Sequence, residues 1–306
     1  MEPIRSLEEL TARLKGAPPR RVAVAAGQDE NSIQAAARAA AEHIATVILV
    51  GDAKRIEKLC GQFGIDPCVF TLIDEPDMHK AGIRARDMVR AGEADVLMKG
   101  LISTDAYMRL ILDKEKGLLP KGAVLTHIAV LDIPAYRRAH DKLLFISDVA
   151  IIPAPDLATK LKIVGHIVEA AHRFGIEKPR VALVAATEKV TEKMPATLDA
   201  AIISKMADRG QIKKAIVDGP LAIDVALSPE ACAIKDLTTP VGGAADALVF
   251  PNIETGNAFY KACTILAGAT LAAVVAGATA PCVLTSRADD EDSKFYSIAL
   301  GCGLVR

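Results

Sequence analysis

The chain reads as an α/β protein of two domains, each built on a mostly parallel sheet, with a cleft between them. Three observations lead there. Short Val- and Ile-rich runs alternate with Ala-rich amphipathic stretches along most of the chain, the rhythm of βα units. The alternation breaks near the middle and resumes after Gly175. At 306 residues the chain is long enough for one large domain or two medium ones, with a core that needs no disulfide or metal staple.

Taken in order, Arg21–Ala25 reads as a strand and Asn31–His43 as a helix with Glu30 or Asn31 at its start. Thr46–Val50 is the next strand, closed by Gly51-Asp52, and Ala53–Phe63 the next helix. Met78–Ala91 is helical, Asp95–Met98 a strand and Thr104–Leu112 a helix. Val124–Leu131 and Leu143–Ile152 then carry strand-like runs with only loops between them, the mark of a sheet changing direction or of a domain crossing. Asp156 is placed to cap a helix running towards Phe174. Arg180–Val184, Ala215–Val217 and Ala247–Phe250 are strands, and Ala196–Asp208 and Glu254–Leu266 helices. Thr285–Arg306 reads as a helix returning to the first domain. The expected domains are therefore 1–146 plus 284–306, and 147–283.

Composition narrows the function. Lys+Arg number 37 and Asp+Glu 38, a net charge of −1, so there is no basic excess to neutralise nucleic-acid phosphates. Trp is absent and aromatics are 4%, which disfavours stacked-base and sugar-shelf sites. The six cysteines, Cys60, Cys68, Cys232, Cys263, Cys282 and Cys302, form no C-x-x-C pair and no zinc spacing; they read as buried hydrophobes, and no metal site is expected. The N-terminal stretch carries Glu2, Glu8 and Glu9 and no apolar signal region, so a cytoplasmic location is expected. The 25 residues from Ala262 to Ser286 lack charge, but Gly268, Gly277 and Pro281 interrupt them. They read as the end of a helix followed by two short buried parallel strands, Leu271–Val275 and Cys282–Leu284, rather than as a membrane span.

In open α/β sheets ligands bind beyond the carboxyl ends of the strands, which singles out four loops. Lys99-Gly100, with Ser103 and Thr104 opening a helix, suits an anion, or is a strand-end lysine with a capping hydroxyl. Thr126-His127 lies in an apolar run and reads as a core residue pair or a cleft pair. Asn252, Asn257 and Lys261 follow a strand end; Asn257 and Lys261 can share a helix face, while Pro251 and Asn252 also suit a plain turn. Ser286-Arg287, ahead of Asp289, Asp290, Glu291 and Asp292, puts a guanidinium beside a helix start, a two-pronged phosphate clamp; the acids themselves suit the helix dipole. No G-x-x-x-x-G-K-[ST], G-x-S-x-G, H-E-x-x-H or G-x-G-x-x-G is present.

With these loops in view, the chain resembles the phosphate acetyltransferase and phosphate butyryltransferase family. The matching residues are Leu97-Met98-Lys99-Gly100 with Thr104, Gly117-Leu118, Thr126-His127, Asp246–Leu248 with Gly256-Asn257 and Tyr260-Lys261, Pro281 through Ser286-Arg287, and Tyr296–Leu300. The resemblance implies the two-domain architecture of the isocitrate and isopropylmalate dehydrogenases. It implies reversible acyl transfer between CoA and phosphate in the interdomain cleft, without a covalent enzyme intermediate. It implies a cytoplasmic homodimer acting on acyl-CoA, phosphate and acyl phosphate, with CoA as a substrate, no tightly bound cofactor, no metal, no nucleic acid and no membrane. Arg287 would bind phosphate and Ser286 stabilise the transition state. The acetyl branch has its aspartate base seven residues after the serine, where this chain has Ser293. Ser-Arg-Ala-Asp and Lys294 look closer to the butyryl branch, and the base falls to Asp289 or Asp292. Arg137, Arg138 and Lys142 are generic candidates for the CoA phosphates, or a solvated basic loop. Two rival readings are a non-catalytic acyl-CoA-binding regulator and a metal- and NAD(P)-dependent hydroxy-acid dehydrogenase of the same fold.

Overall fold

The computed structural model describes residues 2–285 and 289–305 and divides into two bodies: Leu7–Leu125 with Leu271–Arg306, and Met1–Ser6 with Thr126–Thr270. The first body opens with α1 (Leu7–Lys15), β1 (Arg20–Ala25), α2 (Glu30–Ala41), β2 (Ala45–Gly51) and α3 (Ala53–Phe63), and continues with β3 (Thr71–Asp74), α4 (Met78–Arg90), β4 (Val96–Lys99) and α5 (Thr104–Leu112). Val22–Ala25 and all of β4 are buried, as uninterrupted apolar runs require when helices cover both sheet faces. Asp29, Asp52, Asp77 and Ser103 each stand just before a helix and accept a backbone N–H from its first turn.

The chain then crosses into the second body with β5 (Thr126–Asp132), α6 (Pro134–His140), β6 (Leu144–Ser147), α7 (Leu157–Arg173), β7 (Arg180–Val184), α8 (Pro195–Asp208) and β8 (Ile216–Leu221). It continues with α9 (Ile223–Leu227), α10 (Pro229–Ile234), β9 (Ala247–Val249) and α11 (Ile253–Leu266). The strands order β5-β6-β9-β7-β8, with β5 antiparallel to β6 and the other pairs parallel. The chain returns through β10 (Thr270–Ala276), β11 (Cys282–Val283) and α12 (Glu291–Gly303). In the first body the order is β3-β2-β1-β4-β11-β10; β11 runs parallel to β4 and antiparallel to β10. Helix α12 is buried from Ser293 to Cys302 and packs on α1 and α2. Its Ser297 hydroxyl, fully buried, donates to the Ser293 carbonyl at 2.7 Å and accepts the Ala273 N–H of β10 at 2.9 Å.

Several expectations shift. The crossings fall at 125/126 and 270/271 rather than at 146/147 and 283/284, because β5 pairs with β6, β6 with β9, and β11 with β4. A helix, α6, fills what read as loop between two strands; its sequence, PAYRRAH, is too short and charged to show a period. The expected run Leu143–Ile152 ends as a strand at Ser147, since the Asp148 carboxylate takes the Ala150 and Ile151 N–H groups and turns the chain. Strand β3 carries no signal in the sequence, because TLID is short and only half-buried. The last helix starts at Glu291, capped by Asp290, rather than at Thr285. The uncharged stretch holds the end of α11, then β10 and β11, which are antiparallel rather than parallel to each other. Among the described residues no helix is long and apolar enough to cross a membrane.

Candidate active site

In the first body the carboxyl end of β4 delivers Lys99, 2% exposed, whose ammonium donates to the Gly100 carbonyl at 3.3 Å. The Gly100 and Leu101 N–H groups donate to the Ala25 and Ala26 carbonyls at 2.9 and 2.8 Å. The approach is so close that a Cβ on Gly100 would lie 2.3 Å from the Ala26 oxygen, so only glycine fits. Ser103 caps α5, accepting the Ala106 N–H at 3.2 Å, and exposed Thr104 is the first helical residue. A buried ammonium and a polar helix start thus follow one strand, an arrangement that attracts anions.

The same body carries the start of α12. Thr285 is buried, and Ser286 and Arg287 lie outside the described residues. The Asp289 carbonyl accepts from Asn31 Nδ2 at 3.0 Å. Asp292 accepts from Arg38 Nη1 at 2.6 Å, and the Arg38 guanidinium also covers the Phe295 ring at 3.8 Å. Burial alone would lower the Arg38 pKa, but bonds to Asp292 and Glu42 outweigh it and hold the group cationic. Lys294, 2% exposed, donates to the Asp29 carboxylate and, at 3.2 Å, to Ser32 Oγ. Burial pushes the Asp29 pKa up; the bonds from Lys294 and Ser32 more than offset this and leave it below the ordinary value.

In the second body His127 and Asn257 bond to the turn that follows β6, while Thr126 faces α7. Thr126 Oγ1 lies 3.2 Å from His166 Nδ1. The His127 N–H donates to Asp148 Oδ2 at 3.0 Å, while Asp148 Oδ1 takes Ala150 and Ile151 at 2.8 and 2.9 Å. Asn257 Nδ2 donates to the Val149 carbonyl at 3.0 Å. Gly256 lets α11 approach this turn, since a Cβ there would meet the Asp148 oxygen at 2.3 Å. Asn252 is the N-cap of α11, accepting from the Thr255 N–H and hydroxyl at 2.9 and 2.7 Å. Lys261 is exposed, its ammonium 4.6 Å from the Tyr260 ring centroid.

Of the basic trio, Lys142 is bound to Asp246 at 2.8 Å and to the Ala244 carbonyl at 2.6 Å, and Arg137 reaches Asp132 at 3.1 Å. Sequence reasoning passed over Asp29, Asn31, Ser32 and His166 as site residues. The signal for Asp29 was present: an aspartate ahead of an Ala-rich helical run is a cap signature.

Comparison with known proteins places this geometry in a family. The family model described as phosphate acetyl/butaryl transferase matches residues 6–87 and 75–302. The chain is 44% identical to a phosphate butyryltransferase of Clostridium acetobutylicum, covering 97% of each chain. It is 42% identical to a phosphate acetyltransferase of Thermotoga maritima, over 96% of this chain and 98% of the relative. Among solved structures, a branched-chain phosphotransacylase of Enterococcus faecalis V583 matches with a TM-score of 0.83 and 30% identity, over 94% of this chain and 99% of that one. A 4-hydroxythreonine-4-phosphate dehydrogenase of Burkholderia phymatum, at 15% identity and a TM-score of 0.54 over 94% of this chain and 99% of that one, shares the fold alone. With a family match over nearly its full length and an anion-suited strand end in place, the chain belongs to the phosphate acetyl/butaryl transferase family and is an acyltransferase.

Proposed function

We propose that this enzyme transfers a short acyl group, butyryl in preference to acetyl, reversibly between CoA and inorganic phosphate, by direct attack with both substrates bound. The observation that carries it is the near full-length likeness to the C. acetobutylicum phosphate butyryltransferase. The preference for the longer chain rests on Ser293 and Lys294, which depart from the acetyl branch and resemble the butyryl one.

The chemistry follows from the groups available. A free thiol is only a few per cent thiolate at neutral pH, so a base is useful. In the direction of thioester formation Asp289 takes the CoA thiol proton. Sulfur attacks the acyl-phosphate carbonyl, the C–S bond forms, and the bond from the carbonyl carbon to the bridging oxygen breaks, its electron pair leaving on that oxygen with phosphate. In reverse a phosphate oxygen attacks the thioester and the thiolate leaves with the electron pair of the C–S bond. Ser286 would donate to the carbonyl oxygen as charge builds there, and Arg287 and Lys99 would hold the phosphate. Thr104, Thr126, His127, Asn252, Asn257 and Lys261 stay in the reading as substrate contacts.

An acyl-enzyme on cysteine is disfavoured by the thiols themselves. Burial pushes Cys263 up to about 11 and Cys282 and Cys302 up to about 12. Burial also raises Cys60 and Cys232, and a hydrogen bond with Asp66 raises exposed Cys68. None is a ready thiolate at neutral pH. The reading includes a cytoplasmic homodimer, and Ile265 and Leu266, 76% and 83% exposed at the end of α11, are apolar surface of the kind an interface covers.

The test mixes purified enzyme with acetyl-, propionyl- or butyryl-CoA and phosphate, and follows free thiol. Phosphate-dependent release, fastest with butyryl-CoA, is expected. Release fastest with acetyl-CoA would overturn the chain-length preference. CoA binding without any release would favour the regulatory domain.

A further inference from the structure

Residues Ala25 to Ser32 touch both halves of the first body's cluster. At one end, the Ala25 and Ala26 carbonyls hold the Gly100 and Leu101 N–H groups, and so the loop that carries Lys99. Three residues on, Asp29 and Ser32 hold the Lys294 ammonium, and Asn31 holds the Asp289 carbonyl at 3.0 Å. One short stretch of chain therefore sets where the β4 loop and the start of α12 stand relative to each other.

The pair, with Lys294 buried and Asp29 half-buried, is an odd choice if its purpose is only to fasten α12. Taking an ammonium and a carboxylate out of water is costly, and well-packed apolar side chains would hold two helices as well. Fastening is also supplied nearby: Arg38 on α2 bonds Asp292 at 2.6 Å and covers the Phe295 ring. What a charge-assisted bond adds is direction, because it is short and tolerates little drift. Asp29 is itself fixed as the N-cap of α2, accepting the Ser32 N–H at 3.0 Å and the Ser32 hydroxyl at 2.5 Å. Lys294 thus docks on a carboxylate that cannot swing.

We infer that Asp29, Asn31 and Lys294 are positioning residues for acyl transfer: they pin the start of α12 to the stretch of chain that also carries the Lys99-Gly100 loop. The inference rests on the reading that Lys99 and Asp289 serve the reaction. A displacement of about 1 Å between reacting groups costs on the order of a hundredfold in rate, which is the scale of effect a lost pin produces.

The test uses the full-length enzyme with saturation in each substrate. Asn31→Ala removes only the bond to the Asp289 carbonyl, and its thermal midpoint should stay within a few degrees of the parent. Its kcat is expected to fall about tenfold, with a raised KM for phosphate. Lys294→Met should fall further, and Lys294→Arg should recover most of the loss by restoring the cation. If Lys294→Met fails to fold, Asn31→Ala decides. Pin variants that are folded and keep kcat and phosphate KM within about twofold of the parent overturn the inference. Asp289→Asn separates the two possible failures. A crippled Asp289→Asn beside fully active pin variants rejects the pin alone; a fully active Asp289→Asn rejects the reading beneath it, and the pin with it.

Discussion

Asp289 and Asp292 belong to one acidic run, but their surroundings divide them. Asp292 is 60% exposed at its side chain and bonded at 2.6 Å to Arg38, which its carboxylate partners hold cationic. Asp289 sits next to the Ser286-Arg287-Ala288 segment, its carbonyl tied by Asn31. The proposed mechanism takes Asp289, which precedes α12, as the base, and Asp292, within α12 and bonded to Arg38, as a structural group. Asp289→Asn is therefore expected to lower kcat by about 10²–10⁴-fold, the usual range for a lost general base. Asp292→Asn should change it by less than about threefold. Initial rates of both variants at saturating substrates check this, and a larger loss in Asp292→Asn than in Asp289→Asn would reverse the assignment. Sequence alone offered both aspartates equally, because what separates them is an arginine on α2, more than two hundred positions away in the chain.

At the scale of elements, aspartates do much of the terminating. Asp77 and Asp156 cap α4 and α7, and in both the bonds from first-turn groups, Lys80 and Thr159, hold the carboxyl below its ordinary pKa. Asp95 is lowered by its bond from Arg21, which ties the starts of β1 and β4. For each, the unfolded chain takes up a proton first as pH falls, so the stabilisation is complete above the unfolded value, about 3.9, and is lost as pH drops through the lower native one. The urea midpoint is accordingly expected to hold between pH 7 and 5 and to fall steeply below about pH 4. Asp77→Asn combined with Asp156→Asn should flatten that fall; an unchanged slope would show that the caps do not carry it. These capping signals also explain which elements were legible. Ala53–Phe63 and Thr104–Leu112 match α3 and α5 to the residue, each preceded by a capping side chain. Helix α6 has no side-chain cap, and β3 no alternation to betray it.

For the molecule as a whole, the alternation of strands and helices sufficed for the fold class, while the division of labour between its bodies did not follow from it. Strand pairing decides that division, and pairing joins residues such as Phe145 and Ala247 or Leu97 and Cys282 that no local pattern connects. The same holds for the site. Strand-end loops were readable one at a time, yet Lys99 and Asp289 stand in the first body and Thr126, His127 and Asn257 in the second. The proposed direct transfer has a kinetic signature. If the thiol attacks the acyl phosphate directly, nothing can happen to the acyl group until CoA is present. An enzyme that first parks the acyl group on itself would instead release phosphate, and take it back, with no CoA at all. Labelled phosphate should therefore not exchange into unlabelled butyryl phosphate when enzyme and acyl phosphate are incubated alone, and exchange should start once CoA is added. Initial-rate plots for the two substrates should intersect rather than run parallel. Exchange without CoA would establish a covalent intermediate, and the raised thiol pKa values would then direct the search for its nucleophile to hydroxyl and carboxylate side chains before the cysteines.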